Sequence, residues 1–348
     1  MYDIVAIGEL LIDFAPVPDQ TGIYPVMKAN PGGAPANFLA ALSKYGAKTA
    51  FIGKVGTDSF GYLLKNTMEE VGVDTTGMIL DDSVFTTLAF VTLDKNGDRS
   101  FSFARKPGAD TCLTWEEIDQ SLLKNTRAVH FGTLSLTNDP ARTATQKAIA
   151  FAKAQGKMIT FDPNLRLPLW NDPEDAKNQI LWGLAQADVV KISEEEVDFL
   201  WHCNPEEGAR KLLEEYGVKL AMVTLGPDGA YLTNGKAAAR VKCPKVHPID
   251  TTGAGDIFGG SAIYMLLRSG TAPEELNALQ LEAIGQMAST AASLSTEKFG
   301  GIPSVPEKKL VEKNLLNMCH NTEMICRMGT EDLEAGRYDR SAVRQKYR

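Results

Sequence analysis

Strand-like and helix-like segments alternate along most of this 348-residue chain, and this alternation constrains the fold more than any other feature. The opening run YDIVAIGELLIDF is typical of a buried strand, and the later segment PANFLAALSKYG has large side chains at helical spacing before Gly46. Strand-like runs recur as ILDDS, AVHFGTLSL, KMITFDPN, ADVVKIS and KLAMVTLG, with helical patterns such as ARTATQKAIAFAKAQG and PEEGARKLLEEYG between them. The sequence therefore predicts an α/β fold built from βαβ units, with a mainly parallel sheet and helices on both faces.

One segment departs from the alternation and predicts a second, smaller sheet. TTLAFVTLDKNGDRSFSFARKPGAD contains two strand-like runs joined by a turn at Asn96-Gly97, which is a hairpin signal. The early stretch APVPDQTGIYPVMKANPGG is rich in Pro and Gly. Residues 14–31 and 84–107 are expected to form a small β-sheet lid over a cleft in a main domain that spans residues 1–318. Residues 319–348 are polar with little periodicity, so we expect an exposed tail.

Composition excludes several classes of partner. With 36 Lys and Arg against 44 Asp and Glu, the formal net charge is −8, so neither nucleic acid nor a membrane is an expected partner, and a small molecule fits better. The five cysteines form no CxxC pair, which favours reduced thiols and a cytoplasmic location. The N-terminal run carries acids instead of a basic region, and no apolar run reaches membrane length, so no signal peptide or transmembrane helix is expected.

The turn DTTGAGD, at residues 250–256, precedes the apolar helical segment IFGGSAIYMLLRSG. Gly253 and Gly255 let backbone N–H groups converge, and together with the helix N-terminus they form a pocket suited to phosphate. Asp256 would serve there as the base that takes a proton from an alcohol attacking that phosphate. A simple helix N-cap is the alternative for Asp256. A dinucleotide-binding loop fits poorly because it should follow an early strand, and the sequence contains no GxxxxGK[ST] P-loop.

Two further polar positions occur near the start of the chain. NPGGAPANF, at residues 30–38, combines glycines that permit close approach to a ligand with Asn37, whose amide donates to and accepts from hydroxyls. Asp13 ends the first strand with a carboxylate that accepts hydroxyl hydrogen bonds. A generic loop-to-helix junction and a strand-terminal acid are the alternative interpretations of these two positions.

Three loops in the second half of the chain also follow strand-like runs. DPNLRLPLW, at residues 162–170, places Arg166 and two other polar side chains at one strand end. KISEEE, at residues 191–196, ends with Glu196, which is either a candidate to orient hydrated Mg²⁺ or part of a solvated helix start. TLGPDGAY, at residues 224–231, is a candidate nucleotide loop or a plain hairpin turn. The four histidines lack metal-ligand spacing, and no GxSxG or HExxH occurs, so hydrolase and zinc-enzyme functions gain no support.

The pair GGAPAN and DTTGAGD, in this order and at this separation, resembles the two signatures of the PfkB, or ribokinase-like, sugar kinases. DPNLRLPLW and VKISEEE lie between them and resemble most the fructokinases of that family. The resemblance covers residues 2–306 and implies a ribokinase-like three-layer α/β/α domain with a small β-sheet lid. It further implies Asp256 as catalytic base, with the backbone from Gly253 through Ala254 and Gly255 to Asp256 as the anion hole for the transferring phosphoryl group.

The same resemblance assigns ligands to other positions. The sugar would be held by Asp13, Gly33, Asn37, Phe103, Arg105 and Arg166. ATP would be held by Lys191, Ser193, Thr224, Gly226 and Gly229, together with Gly253 and Gly255. Mg²⁺ would be held by Glu196 through water, and a monovalent cation, usually K⁺, by the loop containing Asp250 and Thr252. One departure concerns Ser193, since ribokinase-type members commonly have Asn there, and this puts the role of position 193 in doubt.

The expected reaction is ATP + D-fructose → ADP + D-fructose 6-phosphate. Another kinase of the same fold, acting on 2-keto-3-deoxygluconate, ribose or a nucleoside, is the nearer alternative, because Arg166 would equally meet a substrate carboxylate. A non-catalytic sugar-binding relative is the more distant one, although such a relative would be expected to lose Asp256 or the glycines before it. A homodimer through exposed edges of the lid sheet is also plausible.

Overall fold

The computed structural model describes residues 1–17, 26–93 and 99–318. Its strands are β1 (Tyr2–Ile7), β2 (Leu11–Pro16), β3 (Met27–Gly32), β4 (Thr49–Gly56), β5 (Asp74–Asp81), β6 (Leu88–Leu93), β7 (Arg99–Ala104), β8 (Thr126–Gly132), β9 (Met158–Asp162), β10 (Val189–Ser193), β11 (Leu220–Thr224), β12 (Ala230–Thr233) and β13 (Ala238–Val241). Its helices are α1 (Ala34–Lys44), α2 (Ser59–Glu70), α3 (Gln120–Lys124), α4 (Ala141–Ala154), α5 (Pro173–Gln186), α6 (Glu194–Trp201), α7 (Pro205–Tyr216), α8 (Ala254–Ser269), α9 (Ala278–Ser295) and α10 (Lys308–Met318). In these three ranges no helix has both the length and the apolar character needed to cross a membrane.

The described strands form a nine-stranded main sheet in the order β13-β12-β11-β10-β9-β8-β1-β4-β5. In this sheet, β5, β4, β1, β8, β9, β10 and β11 pair in parallel with one another, in this order. β12 and β13 extend the sheet beyond β11 in antiparallel pairs. Ala6 of β1 pairs with His130 of β8, and His130 pairs with Thr160 of β9, so these three residues lie side by side across the sheet. Because parallel strands end at one edge of a sheet, the loops after β1, β8, β9, β10 and β11 lie on the same side of the molecule.

Helices cover both faces of the main sheet. Phe38, Leu42, Ile263 and Ile284, from α1, α8 and α9, lie in the apolar core on one face. A second core on the other face contains large side chains of α4, α5 and α7, namely Ile149, Ile180 and Leu212. The fold is therefore a three-layer α/β/α arrangement, which confirms the fold class predicted from the sequence.

The second sheet has four described strands in the order β3-β2-β6-β7. β6 and β7 pair as an antiparallel hairpin, β2 and β3 are also antiparallel, and β2 pairs with β6 in parallel. This confirms the prediction of a small separate sheet from two distant segments. The turn at Asn96-Gly97 and the tail at residues 319–348 lie outside the described residues.

Candidate active site

The turn before α8 places an acid in the first turn of a buried helix. Gly253 is at the N-cap in a left-handed conformation (φ 76°), which favours glycine, and α8 starts at Ala254. Asp256 is therefore inside the first turn, so the N-cap interpretation of Asp256 is wrong. The Ala254 N–H donates to the Thr251 carbonyl at 3.2 Å and the Ile257 N–H to the Gly253 carbonyl at 2.9 Å, which leaves the N–H groups of Gly253, Gly255 and Asp256 for an anion.

Asp256 is held by Asn37, which lies 219 positions earlier, on the first turn of α1. The Asn37 Nδ2 donates to Asp256 Oδ2 at 2.8 Å, and both side chains are buried. Asn37 Oδ1 is buried without a hydrogen-bond partner among the described residues. Burial raises the pKa of Asp256 above its ordinary value, although the Asn37 hydrogen bond and the Lys191 and Arg166 cations lower it. The carboxylate is thus fixed in direction and is more basic than an exposed one.

Two glycines leave the space that the Asn37 amide occupies. A Cβ on Gly301 would lie 2.5 Å from Asn37 Cγ and nearer still to Oδ1. A Cβ on Gly253 would lie 3.0 Å from Asn37 Nδ2. Since real Cβ atoms rarely approach so closely, any larger residue at Gly301 would displace the amide that holds Asp256. Sequence reasoning missed Gly301, whose importance depends on this long-range contact.

Asp13 and Arg166 face each other across the neighbouring part of the site. Burial raises the pKa of Asp13 to about 7, and the Arg166 cation partly opposes this shift. A Cβ on Gly32 would lie 2.5 Å from Asp13 Oδ2, so this glycine makes room for the carboxylate. Gly33 has φ 121°, and a Cβ there would lie 2.6 Å from the Glu9 carbonyl oxygen. The sequence predicted that Gly32 and Gly33 permit close approach to a ligand. In the structure, these two glycines also allow their own loop to pack against β2 and against Glu9, which follows β1.

Glu9 is a site residue that the sequence analysis did not single out. Its Oε1 accepts a hydrogen bond from the Ala34 N–H at 2.9 Å, so it caps α1, whose N-cap Gly33 has no side chain to do so. Glu9 is 2% exposed, and burial raises its pKa to about 7. An acid inside the apolar run GELLIDF was the available sequence signal.

Arg105 does not line the cavity, in contrast to the sugar contact expected from the resemblance. Its guanidinium is buried and pairs with the Asp110 carboxylate, with Nη2 at 2.7 Å from Oδ2. Its Nη1 donates to Thr137 Oγ1 at 2.8 Å, and its Nη2 donates to the Leu134 carbonyl at 2.8 Å. These partners tie Arg105 to the loop after β8. Phe103, two residues earlier, does line the cavity.

Lys191 lies beneath the turn that starts α8. Its Nζ is 3.0 Å from Asp162 Oδ2, and a Cβ on Gly255 would lie 2.9 Å from the same Nζ. Burial acts to lower the pKa of Lys191, but the carboxylates of Asp162, Glu196 and Asp256 together raise it above its ordinary value. Lys191 is therefore a fixed cation next to the anion-binding turn.

Ser193 and Glu196 form a capping box at the start of α6. Ser193 Oγ accepts from the Glu196 N–H at 3.2 Å, and Glu196 Oε2 accepts from the Ser193 N–H at 2.9 Å. Glu196 Oε1 accepts from the Leu165 N–H at 2.7 Å. Ser193 is therefore the N-cap of α6, and it also lines the cavity. Glu196 is buried and does not line the cavity, which differs from the water-facing carboxylate expected for a magnesium ligand.

Asp250 closes the loop that leads into the anion-binding turn. Its Oδ1 accepts from the Thr252 N–H at 3.0 Å and from Thr252 Oγ1 at 2.7 Å, and its Oδ2 accepts from the Gly300 N–H at 2.9 Å. Thr252 lines the cavity, whereas Asp250 is buried behind it. The described residues contain no group of three or more His, Cys, Asp or Glu side chains that would hold a metal ion.

The loop after β11 provides the other end of the cavity. Gly226 has φ 52°, and a Cβ there would meet open space. Gly229 has φ 103°, and a Cβ there would lie 2.8 Å from the Val241 carbonyl carbon, so this glycine is required by the neighbouring strand. Both line the cavity with Thr224, so this loop borders the same cavity as the turn before α8. Residues 242–248, Ser293 and Thr296 also line this end, and sequence reasoning missed them.

One continuous cavity of about 1460 Å³ joins these groups, which is larger than the space one small ligand needs. The predicted residues that line it are Asp13, Gly33, Asn37, Phe103, Arg166, Lys191, Ser193, Thr224, Gly226, Gly229, Thr252, Gly253, Ala254, Gly255 and Asp256. A buried carboxylate beside a helix N-terminus that can bind an anion, inside one continuous cavity, is the arrangement that transfer of a phosphoryl group to an alcohol requires.

The chain belongs to the pfkB family of carbohydrate kinases, whose family model matches residues 1–308. Fructokinase-1 of Zea mays is 38% identical over 317 residues, which span 89% of this chain and 98% of the relative. A fructokinase double mutant from Vibrio cholerae O395, solved with fructose, ADP and potassium ion, has a TM-score of 0.81 and 32% identity over 90% of this chain and 98% of its own. Fructokinase from Xylella fastidiosa with bound ATP has a TM-score of 0.80 and 28% identity, covering 91% and 99% of the two chains. The protein is thus a phosphotransferase that acts on a sugar hydroxyl.

Proposed function

We propose that this protein is an ATP-dependent fructokinase that converts D-fructose and ATP into D-fructose 6-phosphate and ADP. The observation that carries the proposal is the position of Asp256, fixed by Asn37 at the start of α8 inside one cavity with two ends. The end lined by Asp13, Asn37 and Arg166 would hold the sugar. The end formed by Thr224, Gly226 and Gly229 would hold ATP. The relatives named fructokinase favour fructose as the acceptor.

In the proposed mechanism, Asp256 accepts the proton of the attacking sugar hydroxyl as the new P–O bond forms. Its raised pKa favours this proton transfer, because a more basic carboxylate takes up the proton more readily. The N–H groups of Gly255 and Asp256 and the Lys191 ammonium stabilise the charge on the transferring phosphoryl group. Asn37 keeps Asp256 aimed at the hydroxyl and prevents it from turning toward the phosphate.

Arg166 favours a neutral sugar over an acidic one. Its cation already lowers the pKa values of Asp13 and Asp256, which means that two protein carboxylates compensate its charge. A substrate carboxylate, as in 2-keto-3-deoxygluconate, would compete with these acids for the same guanidinium. We therefore rank fructose above the keto acid.

We propose ATP with Mg²⁺ as the phosphoryl donor, and K⁺ as a further cofactor near Asp250 and Thr252. Mg²⁺ in phosphoryl transfer is bound largely by substrate phosphates and water and neutralises phosphate charge. The open position beside Gly226 and the N-terminus of α8 fit a polyphosphate chain. Glu196 already binds two backbone N–H groups, so its contact with a hydrated ion would be indirect.

The test is a panel of acceptors measured with ATP, Mg²⁺ and K⁺ in an assay coupled to ADP release. D-Fructose should give the highest kcat/KM, above 2-keto-3-deoxygluconate, ribose and a nucleoside. A higher value for one of the other acceptors would replace fructose with that substrate. Absence of phosphorylation across the whole panel would contradict the proposed function.

We also propose that the protein works in the cytoplasm with the sugar and ATP as its partners, and that it dimerises through the small sheet. β3 and β7 are the edge strands of that sheet among the described strands, and exposed edges favour pairing. Sedimentation equilibrium should give twice the chain mass, and a monomer at micromolar concentration would contradict the dimer.

A further inference from the structure

The two ends of the β6–β7 hairpin meet at one buried carboxylate. Thr87 directly precedes β6, Arg105 directly follows β7, and both bind Asp110. Thr87 Oγ1 donates to Asp110 Oδ1, and Arg105 Nε donates to Asp110 Oδ2 at 2.8 Å. All three side chains are buried. We call Thr87, Arg105 and Asp110 the hinge clamp, because they close the hairpin where it leaves the main domain.

The hinge clamp also binds the hairpin to neighbouring elements. Arg105 donates to the Leu134 carbonyl and to Thr137 Oγ1 in the loop after β8. The Thr87 carbonyl accepts from the Ile12 N–H of β2 at 3.2 Å. The guanidinium thus has acceptors on the main domain as well as on Asp110, which fixes its plane.

The space for the hinge clamp depends on Gly108. A Cβ on Gly108 would lie 3.0 Å from both Arg105 Cγ and Asp110 Oδ1, and nearer still to Thr87 Oγ1. The sequence RKPGAD therefore contains the arginine, the glycine that admits the contact and the aspartate that receives it. Two members of the clamp, Arg105 and Asp110, therefore lie close together in the segment that follows β7, and Thr87 joins them from the other end of the hairpin.

The hinge clamp is directly connected to the sugar end of the cavity. Phe103 lies two residues before Arg105, pairs with Ala89 across the hairpin and lines the cavity. Leu134, whose carbonyl accepts from Arg105, lines the same cavity. The clamp therefore sets the position of Phe103 relative to Leu134, one on the small sheet and the other on the main domain.

We propose that Thr87, Arg105 and Asp110 are positioning residues that hold the base of the hairpin so that Phe103 closes the sugar end of the cavity. This inference rests on the proposed sugar kinase function. A loosened clamp lets the hairpin sample positions in which the sugar binds poorly. Water then reaches the phosphoryl group more often, and ATP hydrolysis gains on sugar phosphorylation.

The experiment compares wild type with Asp110→Asn and Thr87→Val, using the sugar that the wild type phosphorylates best. Asp110→Asn should raise the KM for sugar about tenfold and raise the ratio of ATP hydrolysis to sugar phosphorylation by a similar factor, because misplacement of a closing element loses binding and excludes water less well. The KM for ATP should change less than about twofold, because its end of the cavity lies away from the hairpin. Thr87→Val keeps the side-chain shape and introduces no charge, so the variant should fold. It should change the KM for sugar and the hydrolysis ratio in the same direction but by less.

Asp188→Asn is the control, because Asp188, like Asp110, pairs with a cation and accepts a second hydrogen bond, here from the Ile159 N–H, but it lies at the amino ends of β9 and β10. It should lower the melting temperature without changing the KM for sugar or the hydrolysis ratio. The hinge clamp proposal is overturned if folded Thr87→Val and Asp110→Asn keep both wild-type values. It is also overturned if Asp188→Asn shifts them equally. Wild-type phosphorylation of the sugar tests the proposed function separately.

Discussion

Gly301→Ala should strongly lower the activity of the enzyme by displacing Asn37, without any direct contact with substrate. The Gly301 backbone has φ −81° and ψ −83°, and this φ lies outside the left-handed region that favours glycine, so the effect worked out below is the steric contact of a new Cβ. The new Cβ would lie 2.5 Å from Asn37 Cγ, whereas carbon atoms in contact are normally about 3.5–4.0 Å apart. The amide therefore has to move by about 1 Å.

A displacement of that size breaks the hydrogen bond that aims Asp256. The Asn37–Asp256 distance of 2.8 Å would pass the limit of a useful hydrogen bond, about 3.5 Å. Because a misplacement of about 1 Å costs on the order of 100-fold in rate, kcat/KM for the sugar should fall about 100-fold, or about 3 kcal/mol in transition-state free energy. The KM for ATP should stay near the wild-type value, and the protein should remain folded in a thermal melt.

The assay is steady-state sugar phosphorylation in a double-mutant cycle with Asn37→Ala. In the Asn37→Ala background, Gly301→Ala should change kcat/KM less than about threefold, because the amide that it displaces is gone. Gly259→Ala is the matched control on α8, since its Cβ would lie 3.5 Å from Phe38, an ordinary contact. Near-normal kcat/KM for Gly301→Ala, or equal losses with and without Asn37, would refute this reasoning.

Two further substitutions test the buried charges through pH. For Glu9, the folded pKa of about 7 lies above the ordinary 4.5, so its contribution to stability is present below pH 4.5 and is lost as the pH rises through 7. Glu9→Gln keeps an acceptor for the Ala34 N–H but does not ionise, so the melting temperature of the variant should match wild type at pH 5 and exceed it at pH 8. The same difference in melting temperature between variant and wild type at both pH values would contradict a raised pKa of Glu9. Arg166→Met removes a cation that lowers the pKa values of Asp13 and Asp256, so the acid limb of kcat/KM for the sugar should move to higher pH, and an unmoved limb would contradict this coupling.

The fold and the central motif were predictable because their signals are local. Alternating strand and helix patterns predict the main sheet, and the glycines before Asp256 are adjacent to the acid they serve. Asn37 was predicted as a sugar ligand, but its bond to Asp256 joins positions 219 residues apart and has no sequence signature. The same reason applies to Glu9, which caps a helix 25 residues away.

Arg105 and Glu196 lie in the regions that the family resemblance indicates, but both side chains have protein partners that the resemblance did not indicate. Arg105 follows the hairpin as expected, but its guanidinium binds Asp110 and the loop after β8. Glu196 lies at the start of α6 as expected, but its carboxylate binds the N–H groups of Ser193 and Leu165. Side-chain partners of this kind depend on the packing of separate loops, which the sequence pattern does not specify.

The most direct test of the account is a single-turnover measurement on Asp256→Asn with saturating ATP and fructose. The substitution preserves size and an oxygen acceptor for Asn37 but removes the base, so the rate of sugar phosphate formation should fall by about 100-fold or more. ATP affinity, measured by calorimetry on the same sample, should change less than about twofold, because the helix N-terminus and Lys191 remain. Sugar phosphate formation at a near wild-type rate would contradict the role of Asp256 as the catalytic base.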